Sequence, residues 1–340
     1  MQNVRLEDIA KKMGISVVTV SNALAGRKGV SDKLRDEIKA TAQNMGYLKK
    51  SRQDKRLASP KGKVWGRRVA VVTNETYIEK YTSFYWELYQ KTMFYASKLG
   101  CVAMLEIFSK EMERNKVIPQ LIEEESVDGV IILGKAERDY LVRITERTKV
   151  PVVLLDFNDD SVECDSVISN GFYGMYTMTN YLFNSGHRDI AFVGSIMANG
   201  SIMDRYQGYT KSLMEHGIEL REDWIIEDRD LITGKNTVID LPDTMPTAFV
   251  CNCDYTAAIL LSELRLEGYK VPEDISVVGY DDYLVESNWV DFITTYAVDM
   301  DSMAKTALKL LMKKIDGTRS GKLLSVVDGH PVIRKSVKER

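Results

Sequence analysis

The stretch Ser16-Val-Val-Thr-Val-Ser-Asn22 has the side-chain types and the spacing to read base pairs from outside. On a helix, Val17 and Val18 lie one turn before Ser21 and Asn22, so the four share a face as i and i+4 pairs. Valine methyls suit the C5-methyl of thymine, and an asparagine amide can make two hydrogen bonds to adenine. Ser16 stands where a helix begins and can accept a bond from a free backbone N–H, while Thr19 supports that first turn. The plainer reading is a small helical bundle that touches only its own core. It leaves two adjacent valines facing outward with nothing to cover them.

Three short helices must position these residues. Leu6, Ile9, Ala10 and Met13 give the first an inward stripe, and Gly14 follows where a helix end tolerates left-handed backbone. The second carries Val20 and Leu24 inward and ends at Gly26. Ser31 caps the third, whose inward row is Leu34, Ile38, Ala42 and Met45 before Gly46. Two helices joined by a tight turn, the second exposing a reading face, make a helix-turn-helix that fits a major groove.

Charge separates this head from the rest. The 340 residues have a net charge of −3, which alone suggests no polyanionic partner. Residues 1–68 hold 17 lysines and arginines against 6 acids, however, a charge of +11, and the remainder carries −14. A basic end on an acidic body concentrates phosphate attraction where the reading face lies. Nine of those basic residues fall within 48–68, against the single acid Asp54. No secretory signal opens the sequence, and no apolar run approaches the roughly twenty residues that span a bilayer. A cytoplasmic protein without a membrane partner is expected. Cys101, Cys164, Cys251 and Cys253 have neither CxxC spacing nor a nearby histidine pair, so no metal or disulfide framework is expected.

From Arg68 the pattern alternates between strand and helix. Apolar β runs are expected at 69–73, 101–106, 129–133 and 150–156, with helices over 84–99, 112–125 and 137–148 between them. A second series follows: helix 171–186, strand 189–194, helix 204–216, strands 224–227 and 247–251, helix 254–267 and strand 275–279. Continuous buried β runs separated by amphipathic helices mean parallel sheets covered on both faces. Two such sheets in tandem, without a Gly-rich dinucleotide fingerprint or a P-loop, suggest two lobes with a binding cleft between them. Asn74, Phe84 and Asp156 sit at the first lobe's cleft-facing ends. The aromatic cluster of Tyr77, Tyr81, Phe84, Tyr85, Trp86 and Tyr89 suits either sugar stacking or core and dimer packing. No Ser-His-Asp order, metal cluster or paired acids emerges, so no enzyme is expected.

The head, in particular LEDIAKKMGIS and TVSNAL, resembles the DNA-binding domain of LacI/GalR-family transcriptional regulators. The resemblance continues through NSGHRDIAFVG (184–194), DRYQGY (204–209) and VPEDISVVGYDD (271–282), so it covers nearly the whole chain. It implies an α/β protein: a three-helix helix-turn-helix head and a two-lobed, periplasmic-binding-protein-like body built on two doubly wound parallel sheets. Expected boundaries are a head of 1–48, a basic linker of 49–67 and a body of 68–340. The first lobe would hold about 68–167 and 299–323, and the second about 168–298 and 324–338. By matching position, Val17, Val18 and Asn22 would face base edges, with Ser16, Thr19 and Ser21 near phosphates. Leu57 would wedge into the minor groove from a hinge helix, although a flexible charged tether is equally compatible with this linker. Arg205 and Asp281 occupy positions that hold a sugar or nucleobase in relatives, and Asn252 and Asp254 follow a strand that also reaches the ligand. Cys253 stands in the slot where relatives carry an asparagine. The implied partners are double-stranded operator DNA, a small effector of carbohydrate type and a second copy of the chain, with no cofactor. The alternative is a solute-binding receptor or sensor sharing the two-lobed fold.

Overall fold

The computed structural model describes residues 6–25, 30–45, 66–78, 83–231, 234–285 and 288–340. Most of the expected linker, including Leu57, lies outside the described residues, as do Gly26, Gly46 and Tyr81. The chain divides into two compact units between residues 65 and 66.

The first unit contains helices α1 (Leu6–Met13), α2 (Val17–Ala25) and α3 (Asp32–Asn44). Gly14 adopts φ +66° after α1, and the Ile15 N–H donates back to the Ala10 carbonyl at 3.1 Å, which closes the helix end. The core is small: Ile9, Val20, Ala23 and Ile38 are wholly buried, with Ala10 and Ala42 beside them. Each large aliphatic contributes roughly 1.5–3 kcal/mol by leaving water. Ala23 joins Val20 on the inward side of α2, where it lets the helices approach closely.

The second unit holds two parallel sheets. Six strands form the first: β1 (Arg68–Asn74), β2 (Val102–Phe108), β3 (Gly129–Leu133), β4 (Val152–Leu155), β5 (Asp165–Ser169) and β11 (Leu324–Val327), in the order β11-β5-β4-β3-β1-β2. Four form the second: β6 (Ile190–Val193), β7 (Ile225–Ile226), β8 (Ala248–Cys251) and β9 (Ser276–Val278), in the order β7-β6-β8-β9. Antiparallel β10 (Thr295–Ala297) and β12 (His330–Val332) pair beside them. Strands β3, β4, β6 and β8 are buried along their whole length, because helices cover both faces. The helices that matter for the cleft are Glu75–Ile78, Phe84–Lys98, Gly171–Asn184, Gly200–Glu215, Asp254–Leu266 and Met300–Ile315.

The architecture follows the expected alternation, with informative departures. The expected helix 112–125 is two short pieces, Lys110–Arg114 and Gln120–Glu123, each with its own start. The helix expected from residue 204 begins at Gly200, because Asn199 caps it by accepting from the Ile202 N–H at 2.9 Å. Strand β5 was not expected at all, since Asp165 interrupts its apolar pattern. That carboxylate is fully buried and answered by Arg319 at 3.2 Å, by Lys314 at 3.5 Å and by the Leu323 N–H at 2.7 Å. The return to the second lobe also comes later than residue 324. Residues 324–327 pair with β5 in the first sheet, and the second lobe resumes only at β12. Ser336 then locks the end of the chain there, accepting from the Thr294 N–H at 2.7 Å and donating to the Val277 carbonyl at 2.6 Å.

Candidate functional site

In the first unit, Val17 is 38% exposed and Val18 67%, while Val20 on the opposite side is wholly buried. Ser21 and Asn22 are half-buried on the valine side. Ser16 Oγ accepts from the Thr19 N–H at 3.0 Å and lies 2.8 Å from the Thr19 hydroxyl, so both hydroxyls hold the start of α2. The valines project from the first turn of a capped helix, where a groove-reading helix makes its base contacts.

In the second unit, polar side chains converge where the carboxyl ends of the two sheets face each other, the usual ligand position in open α/β folds. Asp156 follows β4 from the first lobe with φ +67°, uncommon for a residue with a side chain. Burial raises its carboxyl to about 6, against the opposing pull of the Arg205 guanidinium and a hydrogen bond from Tyr85. Burial and the charge of Asp156 push the Tyr85 hydroxyl well above its ordinary value. The ring of Tyr77 lies 4.3 Å from that of Tyr85, and a Cβ at Gly134 would come within 2.7 Å of it. Phe84 meets Tyr85 edge-on at 5.5 Å and reaches across to Tyr283 of the second lobe at 6.1 Å.

Arg205 answers from the second lobe. Its Nη1 donates to the Asn252 carbonyl at 2.8 Å, and its guanidinium lies 4.1 Å from the centre of the Tyr280 ring. Tyr280 stacks in turn on Tyr296 at 5.6 Å. Asp281, at φ +93°, is raised to about 7 by burial, with the Arg205 charge and the Tyr283 N–H opposing. Asp254 begins its helix almost completely buried; burial and the Asp281 charge push its carboxyl well above the usual range. Arg205 Nε, Asp254 Oδ1, the Tyr280 hydroxyl and the Thr295 hydroxyl are all buried without a hydrogen-bond partner. An unanswered buried polar atom costs about 1–3 kcal/mol, which makes this wall the candidate binding surface.

Arg205, Asp281, Asp254, Asp156 and Phe84 are thus brought together. Two expected residues are not. Asn252 turns its amide beneath the sheet, donating to Asp228 at 2.7 Å, to the Val193 carbonyl at 3.1 Å and to Thr256 at 3.2 Å. Only its backbone carbonyl faces the cleft group, through Arg205. Asn74 caps the short helix 75–78, accepting from the Thr76 N–H at 3.0 Å and donating to Glu113 at 3.0 Å. Tyr280, which carries Arg205, was not singled out in the sequence; its signal is its place between a buried strand and Asp281. Cys253 caps its helix by accepting from the Thr256 N–H at 3.5 Å. A groove of about 530 Å³ lined by Val142, Val152, Cys164, Lys314 and Arg319 opens at the other ends of the strands. It belongs to the ion pairs around Asp165 and lies away from the cleft.

Residues 5–49 match the model of bacterial regulatory proteins of the lacI family, and residues 179–337 match a periplasmic-binding-protein-like domain. Among curated relatives, HTH-type transcriptional repressor PurR of Vibrio campbellii is 25% identical, with 98% of each chain covered. PurR of Histophilus somni is 27% identical, again with 98% of each chain covered. Among solved structures, a complex of the transcriptional regulator CelR with cellobiose superposes with TM-score 0.67 at 23% identity, over 98% of this chain and 100% of that one. A lac repressor dimer bound to operator and the anti-inducer ONPF superposes with TM-score 0.64 at 22% identity, over 99% of this chain and 100% of that one. The head thus matches the model of the lacI family of bacterial regulatory proteins, and curated transcriptional repressors align with the chain from end to end.

Proposed function

We propose that the protein is a transcriptional repressor that binds a palindromic operator as a dimer, with an affinity set by a small carbohydrate-like effector held between its lobes. The observation that carries this reading is the outward pair Val17 and Val18 on the capped first turn of α2, at the head of a chain whose full-length relatives are repressors. The effector half draws on the unanswered polar atoms around Arg205, and on the cellobiose held by a protein of the same fold. No helix among the described residues is long and apolar enough to cross a membrane, and the protein is read as acting on DNA in the cytoplasm. The cleft is read as a binding site without catalysis.

Dimerisation is assigned to the free edge of β2, where Val102 is 55% exposed and Ile107 47%, with Phe94 and Leu99 exposed on the adjoining helix. A dimer sets two recognition helices on matching half-sites. The effector alters operator affinity only by its differential affinity for two arrangements of the lobes. Selection of bound duplexes from a random pool by the full-length protein tests the reading, and palindromic half-sites are expected. Asn22→Ala should then cost roughly 1–3 kcal/mol at one base pair. Equal loss on every duplex removes Asn22 from base reading.

A further inference from the structure

The groove at the amino ends of β4 and β5 has a charged wall with more cations than acids to answer them. Asp165 opens β5 wholly buried, and two bases face it: Arg319, through Nε and Nη2 at 3.2 Å each, and Lys314 Nζ at 3.5 Å. The Leu323 N–H takes a further acceptor position at 2.7 Å. One carboxylate balances only one of these cations. Lys322 adds a third positive charge close by, its Nζ held by the Asp159 and Val162 carbonyls at 2.9 Å each. Among the described residues, Asp165 is the one carboxylate within ion-pair distance of Lys314 or Arg319.

Donors are left over on the side that lines the groove. Asp165 takes the Nε–Nη2 edge of the Arg319 guanidinium, which leaves the Nη1–Nη2 edge, a fork that holds a carboxylate by two parallel bonds. Lys314 stands at ion-pair distance, so its N–H groups are not fixed on Asp165. The rest of the lining is apolar, with Val142, Val150, Val152, Val162 and Cys164. Burial raises the Cys164 thiol to about 11, so it is neutral at pH 7 and belongs to that apolar surface. The volume of about 530 Å³ is that of a small-molecule site. Glu146 and Glu163 line the exposed mouth, where their repulsion falls harder on a dianion than on a monoanion. A neutral polyol leaves the surplus positive charge unanswered, and a cation adds to it. A single carboxylate on an apolar body answers both the wall and the lining.

We infer that this groove is a second small-molecule site, separate from the cleft between the lobes, that takes a monocarboxylate with an apolar body. Its carboxylate lies on the free edge of Arg319 and against Lys314, and its body covers the valines. The full-length protein is titrated calorimetrically at pH 7.5 with benzoate, 3-phenylpropionate and hexanoate, with the amides of the same acids, and with inorganic phosphate. At least one carboxylate should bind about tenfold or more tightly than its amide, the gain of one charge-assisted pair, with phosphate weakest. Arg319→Gln should remove the preference of acid over amide. Thr145→Trp fills the groove from a half-buried position on helix Arg138–Arg147 and should weaken acid and amide alike. Circular dichroism checks the folding of both variants. Arg205→Ala, which alters the cleft between the lobes, should leave carboxylate binding as it is. Equal binding of acid and amide, tighter binding of phosphate, or no heat with any of the three carboxylates at millimolar concentration overturns the inference. So does unchanged binding in either folded groove variant, or loss of binding in Arg205→Ala.

Discussion

Asp228→Asn tests the support beneath the cleft. The Asp228 carboxylate is wholly buried and collects five bonds. Oδ1 accepts from the Ser195 N–H at 2.9 Å and Arg229 Nε at 3.0 Å. Oδ2 accepts from Arg229 Nη2 at 2.6 Å, Thr256 Oγ1 at 2.6 Å and Asn252 Nδ2 at 2.7 Å. Asparagine has the same shape, so no cavity forms and the loss is electrostatic. Whichever way its amide is turned, an NH2 faces at least two fixed donors, and the charge of Arg229 loses its counterion. Orphaned donors at about 1–3 kcal/mol each, and the removal of one partner from a buried ion pair, give a loss of about 3–5 kcal/mol. For a unit of this size that is a fall in melting temperature of roughly 5–9 °C, read by circular dichroism at pH 7. The pH dependence has a fixed sign. Arg229 and the surrounding donors hold the Asp228 carboxyl well below the usual carboxylate range, although burial pulls it upward. Its contribution is therefore complete above the unfolded value of about 3.9 and is lost as pH falls below that. The gap between wild type and variant should stay constant from pH 7 to 5 and narrow below about pH 4. A loss under about 1 kcal/mol at pH 7, or a gap that widens in acid, would refute the reasoning.

Arg205→Ala should abolish the effect of any effector on operator affinity while leaving effector-free operator binding intact, as measured by fluorescence anisotropy with labelled duplex. Ser16→Ala removes the cap of α2 and should cost about 1 kcal/mol of head stability, seen as a lower melting temperature of the head and weaker binding to all duplexes alike. Ile107→Lys places a charge on the exposed edge of β2 and should shift the protein toward monomer in sedimentation velocity, with unchanged circular dichroism. A dimer that persists would move the interface elsewhere.

What the sequence disclosed follows the range of the interactions involved. The head was legible because its signals are local: Leu6, Ile9, Ala10 and Met13 lie on one stripe, and Ser16 caps a helix three residues away. The parallel sheets were legible because strands such as β3 and β4 are unbroken apolar runs. Strand β5 was missed because its first residue is a carboxylate, and the cations that answer it stand about 150 positions later. Residues 324–338 were expected within the second lobe, yet β11 and β12 find their partners in different sheets. In the cleft, Arg205, Asp281 and Asp254 came from motifs. The inward turn of Asn252 depends on Asp228, 24 residues earlier, and the loss of Asn74 to capping depends on Glu113, 39 residues later. Side-chain types suggest ligands, but distant partners decide which of them are free to bind.

The late placement of β11 and of the segment after it bears on how the chain is made. The first sheet cannot receive its outer strand until residue 327 has left the ribosome. The second lobe waits longer still, for Ser336 to bridge Thr294 and Val277 and for the Arg340 N–H to reach the Ser185 carbonyl at 2.8 Å. Neither half of the body can be completed by a fragment that stops short of residue 327, so such a fragment leaves both halves open at once. Such chains expose sheet edges and are natural targets for chaperones and proteases, whereas the head, with its short-range contacts, can fold as soon as it emerges.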